Sequence, residues 1–166
     1  MELKVGDVVA YPPHGIGHVA AREPRTVLGR EQEVVVLELA NGLSVTLPLE
    51  RAREQVRPLV DEAGLKRVQR TLRSPGDPSD AVWAKRIKEA QDKLRRGDPL
   101  ELAELVRDGT WRERTGGTGG APKLSASERA LVVRARELLA GEICAVRGIE
   151  REEANAWIDE QLAVSA

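Results

Sequence analysis

The sequence predicts an α+β protein, in which a β-rich N-terminal region is followed by an all-helical C-terminal region. Up to Pro58, short apolar runs alternate with polar residues and are separated by turn residues, a pattern typical of strands. From Asp61 onward, apolar residues recur every three or four positions, which is the period of a helix. This change of period predicts two domains, at residues 1–60 and 61–166.

The N-terminal region contains four predicted strands. The segment DVVAY is a short strand that ends at Pro12-Pro13, and a second strand runs through HGIGHVAAREPRTV from about Gly15. In EQEVVVLELANGLSVTLP, two apolar runs flank Asn41-Gly42, which is the strongest short hairpin signal. Short strands, tight turns and a length of about 60 residues predict a small SH3-like or Tudor-like β-barrel.

About five helices are predicted in the C-terminal region. The first follows DEAGLKRVQRTL, whose apolar residues share one face, and SPGDPSD then breaks the pattern. Ser79 or Asp80 is expected to cap a second helix that ends at Gly97. Asp98 is the expected cap of the third helix, because Pro99 occupies the first helical position that proline favours.

A glycine-rich segment separates these helices from the last two. The segment GTWRERTGGTGGAP, at residues 109–122, is predicted to be a loop, and its Gly-Gly-Thr-Gly-Gly core is expected to be mobile. The segment SASE is a capping box, in which Ser125 and Glu128 can each satisfy the other's backbone N–H. A long helix therefore begins there and runs to about Arg147, where Gly148 ends it before the last helix.

Composition and charge exclude several classes of protein. The chain of 166 residues has one cysteine, which excludes an internal disulfide, and it has no apolar run of the ~18 residues that span a membrane. Its N-terminal MELKVGD is unlike a signal peptide, so we expect a soluble, intracellular protein. The net charge is −1, yet residues 66–96 carry ten Lys/Arg and four Asp/Glu. Such a basic stripe indicates either an anionic partner or a solvated helix face.

Enzyme chemistry and metal binding have little support in the sequence. The only histidines are His14 and His18, in HGIGH, and no third ligand stands near them at metal-binding spacing. The GGTGG segment is not followed by the Gly-Lys-Ser/Thr of a phosphate-binding loop. We therefore expect no catalytic residue, metal, cofactor or small-molecule substrate.

Trp83 is one of only three tryptophans in a chain with one Tyr and no Phe, and it stands beside Lys85, Arg86 and Lys88. Two interpretations are open. Apolar residues continue from Trp83 to Leu94 at intervals of four, three and four, which favours a core stripe. A position in the first helical turn, next to three cations, instead favours contact with stacked bases flanked by phosphates.

Four segments, taken together, resemble the CarD/CdnL family of bacterial transcription regulators. They are KVGDVVAYPPHGIGHV, RTVLGREQEVVVLELANGLSVTLP, VWAKRIKEAQDKLRRGDPLELAELVRD and LSASERALVVRARELLAGEI. They occur in the family's order, and the resemblance extends over nearly the whole chain. Each segment is weakly diagnostic alone, but four in register make the resemblance specific.

The resemblance implies that the N-terminal, Tudor-like domain binds the β subunit of RNA polymerase. The positions that match the family's polymerase contacts are Arg25, Val27, Thr46 and Pro48. Thr46 stands where relatives carry a longer basic or thioether side chain, which puts the strength of this contact in question.

For the helical domain, the resemblance implies contact with promoter DNA at the upstream edge of the transcription bubble. Trp83 matches the family tryptophan that acts as a minor-groove wedge, and Lys85, Arg86 and Lys88 match its basic neighbours on the DNA backbone. The expected function is a non-enzymatic regulator that stabilises the open promoter complex. We expect a monomer located in the cytoplasm with the nucleoid. The alternative is a polymerase-binding module whose helical domain recruits a protein partner rather than DNA.

Overall fold

The structure, a computed structural model, describes residues 1–77, 81–116 and 123–164. The chain forms two compact units, Met1–Leu59 and Val60–Ala166. The first unit contains the strands and one short helix, and the second unit is helical, which confirms the predicted α+β class.

The first unit is built on a five-stranded antiparallel sheet with the strand order β4-β3-β2-β1-β5. Its core lies on one face, where Val9, Val19, Val35 and Leu37 are fully buried. The predicted barrel is corrected to an open sheet, since no pairing within residues 1–59 joins β4 to β5. β5 has only two residues, so it offers little backbone for closing a barrel. The strands are β1 (Val8–Tyr11), β2 (Gly15–Val27), β3 (Arg30–Leu39), β4 (Ser44–Pro48) and β5 (Arg57–Pro58).

One element of this unit was not predicted, the short helix α1 (Leu49–Gln55) between β4 and β5. Only Leu49 and Ala52 of its seven residues are buried. Two apolar residues within two helical turns are too few to define a helical period in the sequence. The helix also has no side-chain cap that could mark its start. Its stability therefore comes from packing against the sheet rather than from its own sequence.

A long hairpin joins β2 to β3 through the two-residue turn Leu28-Gly29. Both residues have positive φ, 51° for Leu28 and 76° for Gly29, as a type I′ hairpin turn requires. The Leu28 side chain is 99% exposed at the tip. The predicted Asn41-Gly42 turn joins β3 to β4, with Gly42 at φ 86°.

In the described residues of the second unit there are five helices, in agreement with the number expected. Asp61, Asp98 and Ser125 cap the first, third and fourth of these helices with their side chains. The predicted caps Ser79 and Asp80 lie outside the described residues, and the second helix begins at Trp83 with Val82 as its N-cap. The helices are α2 (Glu62–Arg73), α3 (Trp83–Arg96), α4 (Pro99–Thr115), α5 (Ala126–Arg147) and α6 (Arg151–Ala163).

The predicted loop at residues 109–122 is wrong over its first half, because α4 continues to Thr115. Gly109 suggested a break, but it lies buried inside the helix. A Cβ there would come within 2.4 Å of Val132 Cγ2, so glycine allows α4 and α5 to pack closely. The remaining glycine-rich residues, 117–122, lie outside the described residues.

We predict that residues 1–59 fold alone, because every buried residue of their core cluster belongs to this unit. The isolated fragment should give a well-dispersed ¹H–¹⁵N NMR spectrum. Leu37→Ala in the fragment should lower the free energy of unfolding by about 2–5 kcal/mol, since Leu37 is fully buried. A fragment whose amide signals collapse into the random-coil range would contradict the prediction.

Candidate nucleic-acid interface

Trp83 is the first residue of α3, and its side chain is half exposed. It is not part of the core cluster of the helical unit, to which α3 contributes Leu94. The apolar spacing from Trp83 to Leu94 therefore does not place the tryptophan in the core. Val82, directly before it, is 72% exposed, so two large apolar side chains stand together at the surface.

The indole of Trp83 is fixed by a hydrogen bond to a residue 42 positions away. Its Nε1–H donates to Ser125 Oγ at 3.0 Å. The same oxygen accepts from the backbone N–H of Glu128 at 3.1 Å, as the N-cap of α5. A serine oxygen has two acceptor lone pairs, so it can serve the helix cap and the indole together.

Arg86 is committed to the interior of the helical unit. Its side chain is only 13% exposed, and its Nε donates to Glu128 Oε1 at 2.7 Å. A second guanidinium nitrogen donates to the carbonyl of Ala81 at 2.6 Å. Arg86 thus joins the chain before α3 to the first turn of α5, and it presents little surface to a phosphate.

The carboxyl of Glu128 completes this network. The other carboxylate oxygen, Oε2, accepts the backbone N–H of Ser125 at 2.8 Å, which closes the predicted capping box. Burial alone would raise the pKa of Glu128, but hydrogen bonds from Arg86 and Ser125 outweigh burial and hold it below its ordinary value. Glu128 is therefore ionised at neutral pH. The sequence revealed this capping box but gave no signal that it also holds Trp83 and Arg86.

The other two predicted cations are exposed. Lys85 and Lys88 lie three residues apart on one face of α3, away from the side on which Trp83 leaves the helix. Lys85 approaches Glu89 at 3.9 Å, and both side chains are more than half exposed. Such a contact is weak in water, so both ammonium groups can reach an anion.

The segment before α3 is held by α4. A Cβ on Gly76 would lie 2.4 Å from Trp111 Cβ, so glycine permits the backbone to lie directly against this half-buried tryptophan. The backbone N–H of Asp77 donates to Asp108 Oδ1 at 2.9 Å. Trp111 is thus a packing residue between α4 and the chain that follows α2.

The predicted polymerase contacts lie together on one face of the sheet. Strand register pairs Arg25 with Gln32, and it pairs Thr46 with Val36 on the other side of β3. Directly paired residues point to the same face, and these belong to the face opposite the buried Val35. Val27 and Pro48 pair with Arg30 and Val34 of the same face. Arg25 is half exposed and donates from Nε to Glu23 at 2.6 Å.

The two histidines are separate from each other. His18 Nε2 lies 3.3 Å from Glu38 Oε2, and His14 stacks on Tyr11 with ring centroids 4.9 Å apart. Among the described residues, no three His, Cys, Asp or Glu side chains are grouped so that they could hold a metal ion. In the same residues, none of the helices has the length and apolar composition needed to cross a membrane.

We predict that Glu128→Gln will lower the free energy of unfolding of the full chain by about 1.5–3 kcal/mol at pH 7, because a neutral amide replaces the charged hydrogen-bond partner of the largely buried Arg86. The folded pKa of Glu128 is depressed, so its charge stabilises the fold above the ordinary carboxyl pKa. This contribution disappears as the pH falls through the folded pKa. The difference between variant and wild type should therefore shrink below about pH 4.

Chemical denaturation followed by circular dichroism at pH 7 and at low pH measures this difference. Glu113→Gln is the matched control, because the Glu113–Arg129 pair is about half exposed, and it should change stability by less than about 1 kcal/mol. Equal effects of the two variants at pH 7, or a Glu128→Gln effect that does not depend on pH, would contradict the prediction.

Comparison with known proteins agrees with this division of the chain. Residues 3–60 match the CarD-like/TRCF RID domain, and residues 67–159 match the CarD C-terminal domain. The chain is also 26% identical, over 93% of its length and 99% of the relative's, to YdeB of Bacillus subtilis (strain 168), which is named as a candidate transcription factor. These domains are those of transcription factors that interact with RNA polymerase, not of enzymes. The chain therefore belongs to the CarD family.

Proposed function

We propose that this protein binds the β subunit of RNA polymerase through its sheet and stabilises the open promoter complex through its helical unit. Trp83 would enter the minor groove as a wedge at the upstream edge of the transcription bubble. The observation that carries the proposal is the half-exposed Trp83, fixed by Ser125 at the start of α3. The exposed Lys85 and Lys88 on the same helix favour DNA over a protein as the partner of this ring.

A fixed indole suits the stabilisation of a distorted base step. Stacking of a base on an aromatic side chain contributes about 1–3 kcal/mol, whereas unstacking a base step costs a few kcal/mol. The wedge therefore cannot open duplex DNA by itself. It binds the step that polymerase has already opened, and the hydrogen bond from Trp83 to Ser125 reduces the conformational freedom lost on contact.

Lys85 and Lys88 are the residues of α3 that we assign to DNA phosphates. Arg86 takes a different role from the one that the resemblance implies, because its guanidinium is used by Glu128 and Ala81. It would position the wedge rather than contact the DNA backbone. A few phosphate contacts give weak, salt-sensitive binding, with a Kd of ~10⁻⁴ to 10⁻⁶ M.

Attachment to polymerase would compensate for this weak affinity. A tethered domain reaches an effective concentration of roughly millimolar near its target. The helical unit can then occupy the bubble edge, although it binds free DNA poorly. The open complex is favoured only because the wedge binds the melted junction better than the closed duplex.

The face of the sheet that carries Arg25, Val27, Thr46 and Pro48 is the proposed polymerase contact. β4 is an edge strand, so its free backbone groups can pair with a strand of the β subunit. In such a contact, main-chain hydrogen bonds supply affinity and the side chains of one face supply specificity. The proposal places the protein in the cytoplasm, with the nucleoid.

We predict that Trp83→Ala will make the open complex dissociate about five- to a hundred-fold faster than with wild type, from the loss of roughly 1–3 kcal/mol of stacking. Binding to polymerase without DNA should not change. Open-complex lifetime with the cognate polymerase measures the effect. Val82→Ala is the control for loss of exposed apolar surface next to the ring. Trp83→Phe keeps an aromatic ring at this position but removes the N–H that donates to Ser125.

The wedge is contradicted by a well-folded Trp83→Ala protein that prolongs the open complex like wild type. It is equally contradicted if Trp83→Ala lowers the free energy of unfolding by about 3–5 kcal/mol, which is the cost of removing a core tryptophan.

We predict that Arg25→Glu will weaken binding to the isolated β subunit by more than ~1 kcal/mol, or about fivefold, because it reverses an exposed charge on the proposed contact face. Arg51→Glu is the control, since Arg51 is exposed in the same unit but lies in α1. Titration of labelled β subunit with each protein measures the affinity. Equal affinities of the Arg25 variant and wild type would remove Arg25 from the contact.

A further inference from the structure

The helix α2 carries a concentrated positive charge on its solvent side. Its four basic residues are all exposed, and Glu62 is its only acidic residue. Lys66, Arg70 and Arg73 follow one another at intervals of four and three, so they form one stripe, with Arg67 beside it. The buried residues Leu65, Val68 and Leu72 occupy the opposite side of the helix. We call the surface of Lys66, Arg67, Arg70 and Arg73 the α2 stripe.

The helices α2 and α3 differ in how their positive charges are neutralised. Five of the six basic residues of α3 form ion pairs, and Lys88 is the exception within the described residues. The pairs are Lys85–Glu89, Arg86–Glu128, Lys93–Glu104, Arg95–Asp92 and Arg96–Glu101. The basic segment 66–96 thus contains one largely neutralised helix and one that is not.

No carboxylate of the described residues forms an ion pair with any member of the α2 stripe. Among the same residues, the one side-chain hydrogen bond of the stripe goes to a neutral acceptor, since Arg73 Nε donates to the amide oxygen of Gln161 at 2.8 Å. Gln161 also accepts from Gln69 at 3.0 Å, which fixes α6 against α2 beside the stripe. The structure therefore orients one guanidinium and leaves four positive charges facing solvent.

We propose that the α2 stripe is a second DNA-binding surface, which contacts phosphates of duplex DNA without reading sequence. The proposal rests on the proposed function in one respect, that DNA is the partner of the helical unit. Arg73 lies seven positions after Lys66, so the stripe extends about 10 Å along the helix axis. This length lets it follow the DNA backbone over about three base steps. Three of its four members are arginines, whose planar guanidinium matches the geometry of a phosphate.

The surface fits a nucleic acid better than an acidic protein. Protein interfaces place aromatic or large apolar side chains at their centre. None of the exposed large apolar residues in the described part of the chain lies on α2. A stripe of unneutralised charge without an apolar centre is typical of binding that is driven by release of counterions from DNA.

The test compares two triple variants of the full chain with the same change in charge. Lys66→Gln/Arg67→Gln/Arg70→Gln removes charge from the stripe but keeps Arg73 and its bond to Gln161. Lys93→Gln/Arg95→Gln/Arg96→Gln removes three ion-paired cations from α3. The probe is a fluorescent 20-base-pair duplex of arbitrary sequence, and its anisotropy is followed with each protein at several NaCl concentrations.

Near 0.1 M salt, the stripe variant should bind the duplex at least about tenfold more weakly than wild type. The slope of the logarithm of the association constant against the logarithm of the salt concentration should decrease in magnitude by about 2–3, since each lost phosphate contact removes about 0.9. The α3 variant should change the slope by less than about 1. If the stripe triple variant is unstable, Arg70→Gln alone should reduce the slope by about 1. Trp83→Ala should leave the duplex slope unchanged, so failure of the wedge and failure of the stripe are distinguishable.

Two results would overturn the proposal. An unchanged slope and affinity for the stripe variant would make the stripe a solvated helix face. An unchanged DNA slope together with weaker binding to polymerase in the absence of DNA would assign the stripe to an acidic protein surface.

Discussion

The Oγ atom of Ser125 accepts hydrogen bonds from two helices at the point where both begin. It caps α5 through Glu128 N–H, and it fixes the indole of Trp83 at the start of α3. The carboxylate of Glu128 then binds Arg86, which ties the chain before α3 to the same helix end. Because one capping box serves helix stability and the position of the exposed ring, loss of either capping residue would affect both. α3 has no side-chain cap of its own, so its first turn depends on these long-range contacts.

The fold was predictable where the signal is local. Helix caps and turns depend on residues a few positions apart, so Asp98, Ser125, Gly97 and Gly148 are where the sequence indicates. Local reasoning failed where packing between distant elements decides the conformation. Gly109 breaks no helix because Val132 requires the space that a side chain would take, and α1 is stabilised by the sheet. The open sheet, in place of the predicted barrel, could not be read from the sequence either, because closure depends on strand pairing between distant residues.

The candidate site was predictable in part. Resemblance to a family indicated Trp83 and its cations, and strand register then brought Arg25, Val27, Thr46 and Pro48 to one face of the sheet. The role of Arg86 was not predictable, since it depends on a partner 42 residues away. The charges in the sequence also did not distinguish α2 from α3, because both helices carry several basic residues within the segment 66–96. In the structure, ion pairs to α4 and α5 and within α3 neutralise mainly the charges of α3.

This uneven neutralisation has a consequence for a regulator that works through polymerase. A wedge on a strongly basic helix would bind ordinary duplex DNA, and the genome offers about 10⁶–10⁹ such competing sites. With most of α3 neutralised, the attraction near Trp83 is limited to Lys88 and to Lys85, whose exposed pair with Glu89 is weak. Under the proposed function, the wedge then acquires affinity from the distorted step rather than from phosphates. The charges of α2 lie on another helix, where they could hold DNA without favouring the closed duplex at the wedge. Selectivity for the bubble edge would thus follow from separating general attraction to DNA from contact with the melted step.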